Sequence, residues 1–348
     1  MICLNYLFVG KGIMLINKLT LVLLSGVLVA CSSGSGSSNS SPSAQIIYVP
    51  TFNYQPGNKT AVMASIGGGN QIVAEIDTGS EMTVVDESAV GNNLLKTTQT
   101  ITVTYGAGTN QVSGYLAYGV IQFTTANGET LSTSANAPIV VVTQGSVNQG
   151  GGNNAVLGMR MNNQVSSRLF LAYPYNQMMV LNRSESFIAF GKLSATQLES
   201  FAQVNQSVIA CQNSTIPNTA ANSCWNTPES SVTYNYSLNG GGSGSSDYTT
   251  IFDSGEAIGN FYLESVPTWM DLNANNQITN QLSAVIHTNH GALPMPLTTP
   301  MMYHPPVTAP EPGSPGAVNP GNQLFDTYQV LFDQANGLIG FRNYAESW

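Results

Sequence analysis

Ile72-Val73-Ala74-Glu75-Ile76-Asp77-Thr78-Gly79-Ser80 and Thr249-Thr250-Ile251-Phe252-Asp253-Ser254-Gly255-Glu256, one in each half of the chain, share a layout. An apolar run ends in an aspartate, then a hydroxyl residue, then a glycine. A strand ending in such a turn presents its carboxylate at the edge of a sheet, and glycine supplies backbone freedom for the turn. One copy is ordinary turn chemistry. Two copies among only seven aspartates point to a matched pair of carboxyl groups. Carboxyls a few ångströms apart cannot both ionise, so the pair shares one proton. One member can then act as general base on a water while the other donates a hydrogen bond to a carbonyl. Such chemistry needs neither a metal nor a cofactor.

Outward from the two motifs, short runs of β-branched and aromatic residues alternate with Gly, Asn and Ser clusters, an all-β signature. Strands are expected at 61–66, 71–76, 99–105, 114–123, 137–142, 178–181, 187–190, 232–238, 248–252, 261–263, 328–333 and 338–341. Helices are few: one is expected over 194–204, capped by Ser194, and another after Pro267. The Gly/Ser-rich 238–247 and the Pro-rich 294–320 read as loops.

With these residues in place, the chain resembles the pepsin-like aspartic proteases. Ile101-Thr102-Val103-Thr104-Tyr105-Gly106-Ala107-Gly108, followed by Val112-Ser113-Gly114-Tyr115, is similar to the flap hairpin of that family. Val156-Leu157-Gly158 is similar to the element behind its first catalytic loop, and the stretch from Tyr328 to Phe341 to its C-terminal strand pair. The resemblance implies an all-β, bilobal fold with a cleft between two pseudo-two-fold-related lobes. It implies an aspartic endopeptidase whose catalytic pair is Asp77 and Asp253. Thr78, Gly79, Ser80, Ser254 and Gly255 would support the catalytic loops. Thr78 and Ser254 would cross-brace them, and Ser80 would bond the outer oxygen of Asp77. Tyr105 and Gly106 would lie on the flap over a peptide substrate. Residues 46–190 would form the N-terminal lobe and 191–348 the C-terminal lobe.

The chain departs from the family pattern at three places. Glu256 stands where a Ser or Thr normally supports the second aspartate. Val84 stands near the place of the tryptophan that supports the flap tyrosine. Asn319-Pro320-Gly321 is a degenerate counterpart of Val156-Leu157-Gly158. These departures keep a second reading open: a catalytically inactive pepsin-like protein that binds peptides or partner proteins at the cell envelope. A structural lipoprotein on a β scaffold is a third.

The N-terminus reads as a targeting segment. Lys11 and Lys18 precede the apolar stretch 19–30, too short to span a bilayer as a helix. Leu28-Val29-Ala30-Cys31 resembles a bacterial lipobox, so 1–30 is expected to be a lipoprotein signal peptide, starting at Met1 or Met14. Cys31 would be the lipidated residue, and 31–45 a Ser/Gly-rich tether. Ser32 after the cysteine suggests an outer-membrane lipoprotein of the bacterial envelope, on its periplasmic or surface face. Without the two leader lysines the net charge falls from −9 to −11, which disfavours nucleic acid as a partner. The expected partners are a peptide or protein substrate and the lipid bilayer, with the chain a monomer. Cys211 and Cys224 are expected to pair as a local disulfide in an oxidising compartment. His287, His290 and His304 lie near Met295, Met301 and Met302, but no carboxylate or cysteine accompanies them, so no metal site is expected.

Overall fold

Period-two alternation in the sequence becomes paired strands. In Asn110–Gly119, for example, buried and half-buried positions alternate from Val112 to Tyr115 before the strand enters the core. The computed structural model describes residues 45–55, 57–105, 110–147, 152–161, 165–209, 224–225, 230–238, 240–305 and 317–344.

Two sheets carry the aspartate motifs and repeat one another strand for strand. In the first, Ile72–Asp77 lies between Lys59–Ile66, antiparallel, and Ala155–Gly158, parallel. Beyond Ala155–Gly158 come Thr83–Asp86, antiparallel, and then Ala137–Gln144, parallel. On the other side, Lys59–Ile66 leads to Ile121–Thr124 and Thr130–Ser132. In the second sheet, Ser243–Thr250 lies between Ser230–Ser237, antiparallel, and Ala317–Asn319, parallel. Asn260–Tyr262, antiparallel, and Met302–His304, parallel, follow. Leu282–Thr288 and Gly291–Met295 complete the far side. The order is therefore the same in both lobes; Asp77 ends one of the two equivalent strands and Asp253 stands just past the same end of the other.

Besides the short strand Phe52–Tyr54 beside Lys59–Ile66, one long element breaks the repeat. The long hairpin of Leu94–Tyr105 and Asn110–Gly119 is paired from Leu94 opposite Gly119 to Tyr105 opposite Asn110, and it borders Ala137–Gln144. Among the described residues the second sheet has no counterpart.

A third sheet joins the lobes. Its six strands run in the order Gln45–Pro50, Phe187–Lys192, Met178–Asn182, Tyr328–Asp333, Leu338–Asn343 and Ala202–Asn205. One buried apolar cluster extends from Val62 and Ile76 through Met179, Phe332 and Phe341 to Val232 and Phe261. Each such side chain contributes about 1.5–3 kcal/mol on burial, so shared packing outweighs any single polar contact in holding the two halves together.

Several local expectations are corrected. The helix expected over 194–204 is only Ala195–Glu199, closed at its start by a reciprocal bond pair between Ser194 and Gln197. It stops because Ala202–Asn205 is drawn into the third sheet against Leu338–Asn343. After Pro267 there is a turn, with the Met270 N–H on the Pro267 carbonyl, and no helix. Residues 238–247 are not all loop, since Ser243–Thr250 is a strand paired along its length with Ser230–Ser237. Residues 294–320 also hold Met302–His304 and Ala317–Asn319, and 306–316 lie outside the described residues.

Candidate active site

The two aspartate loops are tied to each other by two hydroxyls. Thr78 Oγ1 donates to the Phe252 carbonyl at 2.7 Å and accepts the Ser254 N–H at 2.9 Å. Ser254 Oγ donates to the Ile76 carbonyl at 2.6 Å and accepts the Thr78 N–H at 3.2 Å. A hydroxyl can donate and accept at once, which is why the residue after each aspartate is Thr or Ser. All four bonds are buried and cross from one lobe to the other. At about 0.5–1.5 kcal/mol each they add less than the core, so their main effect is to aim the loops.

The glycines have a different job from the one expected. Neither Gly79 nor Gly255 has a positive φ, so backbone freedom is not the reason for them. A Cβ on Gly79 would stand 2.4 Å from Cγ of Asp253, and a Cβ on Gly255 would stand 2.6 Å from Cγ of Asp77. Each glycine leaves room for the carboxyl group of the opposite loop. The two carboxyls thus face each other across the junction of the loops, each against the opposite glycine.

Their other partners differ. Asp77 Oδ1 accepts the N–H groups of Gly79 at 2.9 Å and Ser80 at 2.8 Å, and Asp77 Oδ2 accepts the Ser80 hydroxyl at 2.5 Å. Asp253 Oδ1 accepts the Gly255 N–H at 2.7 Å, and Oδ2 accepts Nδ2 of Asn319 at 2.9 Å. Burial pushes Asp253 well above the ordinary carboxyl range; the neighbouring Asp77 and the charge of Glu256 push the same way, and the Gly255 N–H opposes them. Burial thus disfavours charge on Asp253, while three donors converge on Asp77.

Glu256 does not reach Asp253. Its Oε1 accepts the Ile258 N–H at 3.3 Å, so the side chain folds onto its own turn. Burial raises its pKa, the Ile258 N–H and Lys59 pull it down, and Asp77 adds to the rise.

Behind Asp77 lies a charged group that sequence reasoning missed. Glu75, 3% exposed, accepts the Tyr54 hydroxyl and the Lys59 ammonium, the latter at 2.9 Å, with Asn153 Nδ2 at 3.4 Å. Burial raises Glu75 to about 7 despite the nearby Lys59. The signal was a lone carboxyl inside an apolar run that becomes a buried strand. Arg160 was also missed: its backbone N–H donates to the Ser80 carbonyl at 3.1 Å and its Nη1 to the Gly79 carbonyl at 3.4 Å.

Tyr105, half-buried at the end of its strand, packs against an apolar cluster of Val84, Val112, Val140, Val142, Val147 and Val156. Val84 is fully buried there. Gly106, Cys31 and Cys211 lie outside the described residues. Cys224 is buried in Cys224–Trp225, a strand paired with Val208–Ile209.

No family model and no curated protein matches the chain. Among solved structures it is similar to an aspartic proteinase from Irpex lacteus, at 13% identity and a TM-score of 0.54. The match covers 86% of this chain and 97% of that one. The fold is the bilobal, all-β fold of the pepsin-like aspartic proteinases.

Proposed function

We propose that the chain is an aspartic endopeptidase that hydrolyses peptide bonds with a water activated by Asp77 and Asp253. The observation that carries this reading is the reciprocal apposition of the two carboxyls, each set against the glycine of the other loop. In this mechanism Asp77, with three donors, is the carboxylate that takes a proton from the water. Asp253, holding the shared proton, donates to the scissile carbonyl and stabilises the charge that develops on its oxygen. The hairpin bearing Tyr105 closes over an extended peptide with apolar side chains near the cut and excludes water from the reacting bond. Because the active form carries one proton on the pair, the optimum lies on the acid side of neutrality.

Pepstatin, a transition-state mimic for the family, provides the test. The wild-type chain is expected to bind it and to cut unfolded protein in a pepstatin-sensitive manner; Asp77→Asn and Asp253→Asn are expected to keep the fold and lose cleavage. Cleavage retained by both variants would refute the proposal.

Glu256 motivates a second reading, a silent relative that binds peptides without cutting them. Pepstatin binding with no turnover anywhere between about pH 3 and 7, the range over which carboxyls titrate, would favour it. The setting we propose is the bacterial envelope, with the chain anchored through acylated Cys31 behind a cleaved leader and the Cys211–Cys224 pair oxidised.

A further inference from the structure

We propose that Asn319 takes over the role of the hydroxyl missing from position 256 and is the positioning residue for Asp253. The inference rests on the protease reading above and extends it to a residue outside both aspartate motifs.

The repeat between the lobes makes the argument. In the first lobe the third residue after the aspartate is Ser80, and its hydroxyl bonds Oδ2 of Asp77. The equivalent residue in the second lobe, Glu256, has no proton to donate when ionised, and it is turned to the Ile258 N–H. Left alone, Oδ2 of Asp253 would be an acceptor in a largely enclosed site without a donor. Such a group is costly.

Strand register identifies what supplies the donor. Ala74 pairs with Ala155, and Val156 follows. Thr250, equivalent to Ala74, pairs with Val318, and Asn319 follows. Asn319 thus occupies the position of Val156, an apolar residue buried with Val84. The first lobe has a hydroxyl in the loop and an apolar residue behind it; the second has a carboxylate in the loop and an amide behind it. The donor has moved from the loop to the neighbouring strand.

The amide is held in one orientation. Its Oδ1 accepts the Gly321 N–H at 3.0 Å, and Gly321, at φ +78°, takes a backbone conformation that favours glycine. The amide NH2 is thereby turned toward Asp253, 2.9 Å away. Asn319 is 5% exposed, so water does not compete freely for the bond. Four ionisable groups share the neighbourhood: Asp77 across the pair, Glu256 on the same loop, and Glu75 with Lys59 behind the first loop. None of the last three bonds Oδ2 of Asp253 in place of Asn319.

A donor on Asp253 stabilises its ionised form, so removing it raises the titration of the pair. The experiment follows the aspartate carboxyl carbons by 13C NMR across pH, together with kcat and KM for a pepstatin-sensitive peptide, in the full chain. Asn319→Leu keeps the size and removes the donor. It is expected to move the pair's titration and the acid limb of the activity profile up by about one pH unit and to lower kcat about tenfold, with KM little changed. Adding Glu256→Thr restores a hydroxyl at the place equivalent to Ser80 and is expected to bring both readouts back toward wild type. Asn319→Asp, the same shape with an added acid, is expected to introduce a third coupled titration and to lose activity as pH rises toward neutral. Wild-type titration and cleavage in Asn319→Leu or in Asn319→Asp would overturn the proposal, as would failure of Glu256→Thr to relieve Asn319→Leu. A wild-type chain that neither cuts nor binds pepstatin would remove the protease reading, while the NMR titration would still decide the role of Asn319.

Discussion

The Asp77 and Asp253 loops share their braces and differ in their donors. Each loop lends the other a hydroxyl and leaves a glycine-sized space for the opposite carboxyl. Yet Asp77 takes all its donors from its own loop, whereas Asp253 takes one from its loop and one from the strand Ala317–Asn319. The residue two before Asp77 is the buried Glu75 with its Lys59 and Tyr54 partners; the residue two before Asp253 is Ile251. Symmetry in such a pair is therefore kept where the loops touch and released in what surrounds them. The asymmetry gives Asp77 one more donor than Asp253.

The largest expected effect tests the symmetric part. Asp77→Asn and Asp253→Asn should each reduce cleavage at least about a thousandfold, since residues that act as a unit fail together. Circular dichroism should show the fold unchanged. A clear difference between them would mean that one carboxyl suffices.

Next comes the asymmetry behind the loops. Glu75 titrates near 7 in the folded chain because burial disfavours its charge. A folded value above the unfolded one means that the stabilising contribution is complete below about pH 4.5 and is lost as pH rises through about 7. Asp253 acts in the same direction. Urea unfolding should show stability falling across that window by up to about 3 kcal/mol from Glu75, and Glu75→Gln should flatten the fall. An unchanged slope in Glu75→Gln would remove this group from the account.

The braces should be equal. Thr78→Val and Ser254→Ala each leave a buried N–H and a buried carbonyl without their hydroxyl partner, at a cost of about 1–3 kcal/mol. Similar losses in urea midpoint would support reciprocal bracing, and a one-sided loss would break it. The smallest effect belongs to Ser80→Ala. Asp77 keeps two N–H donors, so kcat should fall only about threefold, less than for Asn319→Leu, where Asp253 keeps one. The opposite ranking would contradict the donor comparison.

Much of this frame was legible in the sequence because its signals are local. Tyr328–Asp333 has the expected bounds, and the motif strands and the long hairpin carry enough β-branched residues to show themselves. Ser243–Thr250 was hidden because Ser, Gly and Asp dominate it; its strand character comes from eight pairings with Ser230–Ser237 rather than from an apolar face. The helix over 195–199 was overextended because Ala202 and Val204 fit helical spacing, while their partners Phe341 and Ile339 are far away in sequence. At the site, Glu256 was visible as a departure but its direction was not, since that depends on the Ile258 N–H. Asn319 was visible only as an irregular neighbour of Gly321. Its link to Asp253 depends on strand register, which local sequence does not encode.

The most direct test of the central claim is cleavage of an unstructured, apolar-rich peptide between about pH 3 and 7, by the wild type and by Asp253→Asn. The account predicts pepstatin-sensitive cleavage with an acid optimum in the wild type and none in Asp253→Asn. Cleavage that survives in Asp253→Asn, or no cleavage by the wild type at any pH in that range, would contradict it.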